Sequence, residues 1–139
     1  MRRTLLAGIS LVTMLVVALY GVASATEVKV MLSGSQEVPA VTTNASGSAT
    51  VTVGDDMSIS GSVTTSGVAG TAAHIHMAAA GQNGPVIVPL NKTGDNVWSV
   101  PPGIRFNDAQ YEAFKLGNLY VNVHSAANPG GEIRGQVTP

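Results

Sequence analysis

After residue 25 the chain is dominated by short runs in which apolar and polar residues alternate with a period of two, with turn residues between them. Such alternation sends successive side chains to opposite faces of an extended backbone, so each run reads as a strand with one buried face. Val28-Lys29-Val30-Met31-Leu32 opens the series. Ala49-Thr50-Val51-Thr52-Val53 and Met57-Ser58-Ile59-Ser60-Gly61-Ser62-Val63 flank Gly54-Asp55-Asp56, the pattern of a hairpin. Asp55 and Asp56 read as turn formers, because the alternating oxygen ligands of a calcium loop do not follow them. Further runs at 73–77, 86–90, 97–100, 119–123 and 132–137 bring the count to about eight. Short antiparallel strands in that number predict an all-β fold, a Greek-key-like sandwich or barrel. One segment departs from the alternation. Asn107-Asp108-Ala109-Gln110 fits a capping box, Phe106 and Tyr111 sit where a hydrophobic staple would, and Gly117 fits the position just past a helix end. One short connecting helix is expected over 108–116, closing one end of the strand assembly.

The residues before the first strand have another character. Met1-Arg2-Arg3 is basic, 5–20 is a mostly apolar run of sixteen residues, and Ala23-Ser24-Ala25 has the small-x-small form of a cleavage site. Residues 1–25 read as a cleaved signal peptide, which makes the protein periplasmic or secreted. Removing them takes away Arg2 and Arg3 and leaves 114 residues, with five Lys and Arg against eight Asp and Glu, a net charge of −3. A mildly acidic domain has no electrostatic footprint for nucleic acid or an anionic membrane, so neither is an expected partner. The chain has no cysteine, so disulfides contribute nothing and 26–139 must fold as one domain on its hydrophobic core. Sheet edges made of short strands leave a homodimer open as an assembly.

The chemistry rests on the three histidines. In Ala73-His74-Ile75-His76-Met77 the pleat places His74 and His76 on one face and the apolar residues on the other. The apolar face is the core, so both imidazoles are expected on the outer face, about 6.6 Å apart at Cα, which one metal ion can bridge. In Tyr120-Val121-Asn122-Val123-His124 the same reasoning buries Val121 and Val123 and turns Tyr120, Asn122 and His124 outward. Three imidazoles suit Zn²⁺, Cu²⁺ or Cu⁺, and the Irving–Williams order favours copper, with zinc the alternative.

Other residues receive plainer readings. Met57 and Met77 have the softness of copper ligands but fall at core-facing positions and are read as packing residues. Glu37 is expected to hold a loop by accepting backbone N–H groups, the other reading being a partner to an imidazole. Asn128-Pro129-Gly130-Gly131 reads as a tight turn. Glu132 and Arg134 share a strand face and are positioned to pair. Trp98 alternates toward the polar side and is expected at the rim of the core. No serine lies in a nucleophile-elbow context.

Three blocks in order carry a resemblance to a known family: Leu32-Ser33-Gly34-Ser35-Gln36-Glu37-Val38-Pro39; Ala73-His74-Ile75-His76 with Gly81-Gln82-Asn83-Gly84-Pro85-Val86; and Tyr120-Val121-Asn122-Val123-His124-Ser125 with Asn128-Pro129-Gly130-Gly131-Glu132-Ile133-Arg134-Gly135-Gln136. Together they resemble the CHRD domain, named after chordin, an extracellular antagonist of bone morphogenetic proteins. The resemblance implies an exported domain; bacterial members stand alone. It also permits an extracellular interaction module with structural histidines. A more distant likeness links His74, His76 and His124 to the copper ligands of Cu/Zn superoxide dismutases, which are Greek-key sandwiches. That likeness implies copper ligation and, as an alternative activity, a copper-only dismutase-like oxidoreductase. The dismutase zinc ligands, bridging imidazole and disulfide cysteines have no counterpart here, and the place of its anion-guiding arginine falls on Glu132.

Overall fold

The computed structural model describes Gly21 and residues 23–139. The leader expected over 1–25 lies outside the described residues except for Gly21 and 23–25. Among these residues nine strands form one sheet: β1 (Ala25–Ser33), β2 (Ser46–Gly54), β3 (Ile59–Ser66), β4 (Gly70–Met77), β5 (Val86–Pro89), β6 (Asn91–Gly94), β7 (Val97–Ser99), β8 (Leu119–Ser125) and β9 (Ile133–Val137), with helix α1 (Asp108–Lys115) between β7 and β8. Their order across the sheet is β5-β4-β8-β9-β1-β2-β3-β7-β6, and every paired neighbour is antiparallel.

The two edge strands of that order, β5 and β6, are consecutive in the chain. Leu90 joins them, and its N–H donates to Ala73 O of β4 at 3.0 Å. A backbone that passes directly from one edge of a sheet to the other forces the sheet to roll up. The result is a nearly closed barrel, and the sandwich-or-barrel expectation resolves to that form. The ninth strand, β6, was not foreseen. Its four residues are all exposed, so they carry no apolar alternation to read.

The interior follows the period-two pattern. Val28, Val30 and Leu32 of β1 face inward with Ala49, Val51 and Val53 of β2, and Ile59 and Val63 of β3 continue the layer. Ala73 and Ile75 of β4 and Val121 and Val123 of β8 complete it on the other side, each no more than 1% exposed. Burying a Val or Ile side chain stabilises by about 1.5–3 kcal/mol, so this alternation fixes the register. Trp98, expected at the rim, is 4% exposed and lies in the core opposite Val63. With only three residues, β7 offers too short an alternation to set its phase. Met57 also departs from expectation, since it sits in the turn before β3 with φ +68° while still packing against the core. The Asp55-Asp56 turn is present: Gly54 N–H donates to Ser58 O at 2.9 Å, and Asp56 Oδ1 accepts from Ser58 N–H at 3.0 Å.

Helix α1 begins as expected. Asn107 Oδ1 accepts from the Gln110 N–H at 2.8 Å, and Gln110 Oε1 accepts from the Asn107 N–H at 3.0 Å. It ends at Lys115 with Leu116 as its C-cap, followed by Gly117 at φ +73°, a left-handed conformation that glycine adopts without strain. Phe106 packs 6.5 Å from Phe114, which in turn lies 6.5 Å from Tyr111, and both phenylalanines join the core.

Candidate metal centre

β4 and β8 are adjacent and antiparallel, with His74 opposite Asn122, His76 opposite Tyr120 and Ala72 opposite His124. This register brings all three histidines to one face. His74 Nδ1 lies 2.9 Å from His124 Nε2. The ring centroids are 5.5 Å apart for His74 and His76, 4.8 Å for His74 and His124, and 6.2 Å for His76 and His124. One ligand nitrogen from each residue lies within 4.8 Å of the others, so the trio can hold a metal ion.

The outer face of β4 and β8 is not bare, contrary to expectation. His76 is 7% exposed, and Tyr120 and Asn122 are each 2% exposed, whereas His74 and His124 are partly exposed. The loop between β4 and β5 folds back over this face. Arg134 of β9 pins it by donating to Gln82 O at 2.8 Å and Ala79 O at 3.3 Å, and Gln136 donates to Ala78 O at 2.9 Å. Asn83 Nδ2 ties the same loop to Val38 O at 2.7 Å. β8 lies between β4 and β9, so Tyr120 is flanked by two partners. The His76 ring stacks on it at 4.6 Å with planes 5° apart, and the Arg134 guanidinium stands 3.5 Å from the ring centre.

Two rings have their tautomers fixed by carbonyls, which only accept. His76 Nδ1–H donates to Gly84 O at 2.9 Å, and His124 Nδ1–H donates to Pro129 O at 2.9 Å. In each neutral ring Nε2 therefore carries a lone pair, and His74 Nδ1–H must be the donor to His124 Nε2. His76 Nε2 is buried without a hydrogen-bond partner. Carbonyl partners behind ligating imidazoles are the usual means of orienting them. An ion between His74 Nδ1, His76 Nε2 and His124 Nε2 would replace the shared proton, which moves to His74 Nε2. One ligand nitrogen from each of the three residues lies within 4.8 Å of the others, so His74, His76 and His124 would hold a single ion after small side-chain shifts.

Burial also favours the neutral form of the rings. Desolvation, followed by the neighbouring His124 and His76, holds the His74 pKa below its ordinary value. Desolvation likewise lowers that of His76, against the Gly84 carbonyl and Asn122, which raise it. Both rings therefore stay neutral to lower pH than a solvated imidazole.

Two acidic residues and an arginine behave differently from expectation. Glu37 is 6% exposed, and among the described residues its carboxyl accepts no backbone N–H; it faces Asn122 instead. Burial raises its pKa, opposed by Asn122 and by the Arg134 charge. Glu132 and Arg134 do not pair. Glu132 accepts from Ser125 Oγ at 2.7 Å, Thr43 Oγ1 at 2.9 Å and Asn128 Nδ2 at 3.1 Å, and so ties down the loop that carries Pro129. Glu132 lies just before β9 begins, so the strand alternation that would have set it beside Arg134 does not extend to it. Met77 packs partly buried against the core, away from any ligand role.

The family model of the CHRD domain matches residues 28–137, which includes the three histidines and every residue that supports them. The chain belongs to the CHRD domain family. No curated protein and no solved structure matches it. In this CHRD domain sequence reading brought His74, His76 and His124 together but missed Tyr120, Asn122, Arg134 and Gln136 as their supports. The signal was present in the alternation, which puts Tyr120 and Asn122 on the histidine face.

Proposed function

We propose that this CHRD domain is an exported metal-binding protein that takes copper through His74, His76 and His124, with zinc as the competing ion. The observation that supports it is the buried, unpartnered His76 Nε2 beside the His74–His124 pair. A lone pair buried without a donor costs about 1–3 kcal/mol, which an ion would recover. Among N-donor sites the Irving–Williams order places copper above zinc. Export rests on the pattern of residues 1–25, and the domain would meet its ion in the periplasm or outside the cell. Among the described residues no helix is long and apolar enough to cross a membrane.

The test is calorimetric and spectroscopic titration of metal-free protein with Cu²⁺ and Zn²⁺. One equivalent is expected to bind, and free copper at 100 times Kd should stabilise the fold by about 2.7 kcal/mol. A His74→Ala, His76→Ala, His124→Ala triple variant with unaltered copper affinity would refute the reading.

A second reading is favoured by one observation: His74 and His124 are partly exposed, so an ion there would keep a side open to solvent. That opening suits a dismutase-like oxidoreductase that cycles between Cu⁺ and Cu²⁺. It requires superoxide loss by the copper-loaded protein well above that of free copper.

A further inference from the structure

Behind the imidazoles, three buried polar atoms lack a hydrogen-bond partner: Glu37 Oε1, Asn122 Oδ1 and His76 Nε2. Their residues are 6%, 2% and 7% exposed. The Asn122 amide acts on both of the others, opposing the burial that raises the Glu37 pKa and raising that of His76. Asn122 Oδ1 and His76 Nε2 are both acceptors, the second because the ring proton is held at Nδ1 by Gly84 O. Two facing acceptors cannot satisfy one another.

The orientation of the Asn122 amide decides whether an ion meets a rival. Turned one way, Nδ2–H would donate to His76 Nε2 and occupy its lone pair. Turned the other way, Nδ2 faces Glu37 and the lone pair stays open. The structure has the second arrangement. A Cβ built on Gly131 would stand 2.5 Å from Glu37 Oε1 and 2.6 Å from Asn122 Nδ2, so the carboxyl and the donor end of the amide lie together under that glycine. Gly131 has φ +124° and leaves the room that any side chain would take.

We propose that Glu37 and Asn122 are a positioning pair for the metal centre. The Glu37 carboxyl draws the donor end of the Asn122 amide away from His76 and so keeps Nε2 open for the ion. This inference rests on the metal-binding reading above. It assigns Glu37 a place in the centre although it is contributed by the β1–β2 connection, far along the chain from every histidine. Neither residue touches the ion; both act through His76.

The experiment compares the parent domain with Glu37→Gln and with the double variant Glu37→Gln, Asn122→Asp. The new carboxamide of Glu37→Gln donates to Asn122 Oδ1 and turns Nδ2 toward His76. Copper affinity is expected to fall about 10- to 100-fold, the range seen when the partners of metal ligands are changed. The double variant removes that competing donor and should return the affinity to about the parent value. Nitrogen NMR of the metal-free proteins gives a readout that a merely structural role would not move. The parent should show His76 protonated at Nδ1 with a bare Nε2 lone pair, and Glu37→Gln should shift the Nε2 resonance upfield. Equal copper affinity in parent and Glu37→Gln, or a proton on His76 Nε2 in the parent, overturns the pair. If Glu37→Gln does not fold, the parent spectrum alone decides. Failure of the parent to take up copper would overturn the metal reading and this proposal together, whereas uptake that ignores Glu37→Gln overturns the pair alone.

Discussion

The lowered pKa values of His74 and His76 make the stability of the metal-free domain depend on pH in a definite direction. In the unfolded chain both rings titrate near the ordinary value of 6.5. In the folded barrel they take up a proton only at lower pH, because burial disfavours the charged ring. Above pH 6.5 neither state is protonated and the histidines contribute no slope. Below it the unfolded chain binds the extra protons, so stability falls as pH falls, and the loss ends once the folded-state values are passed. The limiting slope is about 1.4 kcal/mol per pH unit for each ring, so between pH 7.5 and 5.5 the two together cost at most about 2.7 kcal/mol. Glu37, whose pKa is raised by burial, acts in the opposite sense as it becomes protonated. Urea unfolding of chelator-treated protein at the two pH values, run beside a His74→Gln, His76→Gln variant, cancels the Glu37 contribution. The parent should lose up to about 2.7 kcal/mol more than the variant. Equal losses, or a parent that gains stability relative to the variant on acidification, would show that the rings are not held neutral by the fold.

Two further substitutions separate the site from its scaffold. Gly131→Ala places a Cβ 2.5 Å from Glu37 Oε1 in a backbone conformation of φ +124°, and should cost about 2–4 kcal/mol from strain and overpacking. Because the same loop supplies Pro129 O to His124, copper affinity measured by competition should fall with it; a variant as stable and as tight as the parent would contradict the close approach. Asn107→Ala removes the cap of α1 and should cost about 1 kcal/mol in thermal unfolding. Copper affinity should not change, and a loss of binding would mean that the helix end and the metal centre are coupled.

What could be read from the chain in advance was whatever a strand declares locally. Ala73 and Ile75 point inward and His74 and His76 outward because the pleat alternates, and Val121 and Val123 against Asn122 and His124 repeat the argument. The same logic failed where a run was too short, as at Trp98 in three-residue β7, or had no apolar residue at all, as in β6. It failed most instructively on exposure. The outer face of a strand is exposed only if nothing covers it, and covering is a long-range property with no period of its own. Arg134 reaches residues 79 and 82, Asn83 reaches residue 38, and Gln136 spans from residue 78 to Gly117. Those contacts change the chemistry of the histidines and not merely their accessibility. An uncovered His-x-His pair would titrate near 6.5 with both rings free to turn. Under the loop, Gly84 O fixes one tautomer, Tyr120 fixes the ring plane, and desolvation keeps the lone pairs unprotonated. The sheet register sets where the three rings meet, and the loop that Arg134 pins helps set how deeply they are buried. Substitutions in 78–85 should therefore tune ion affinity without moving a single strand.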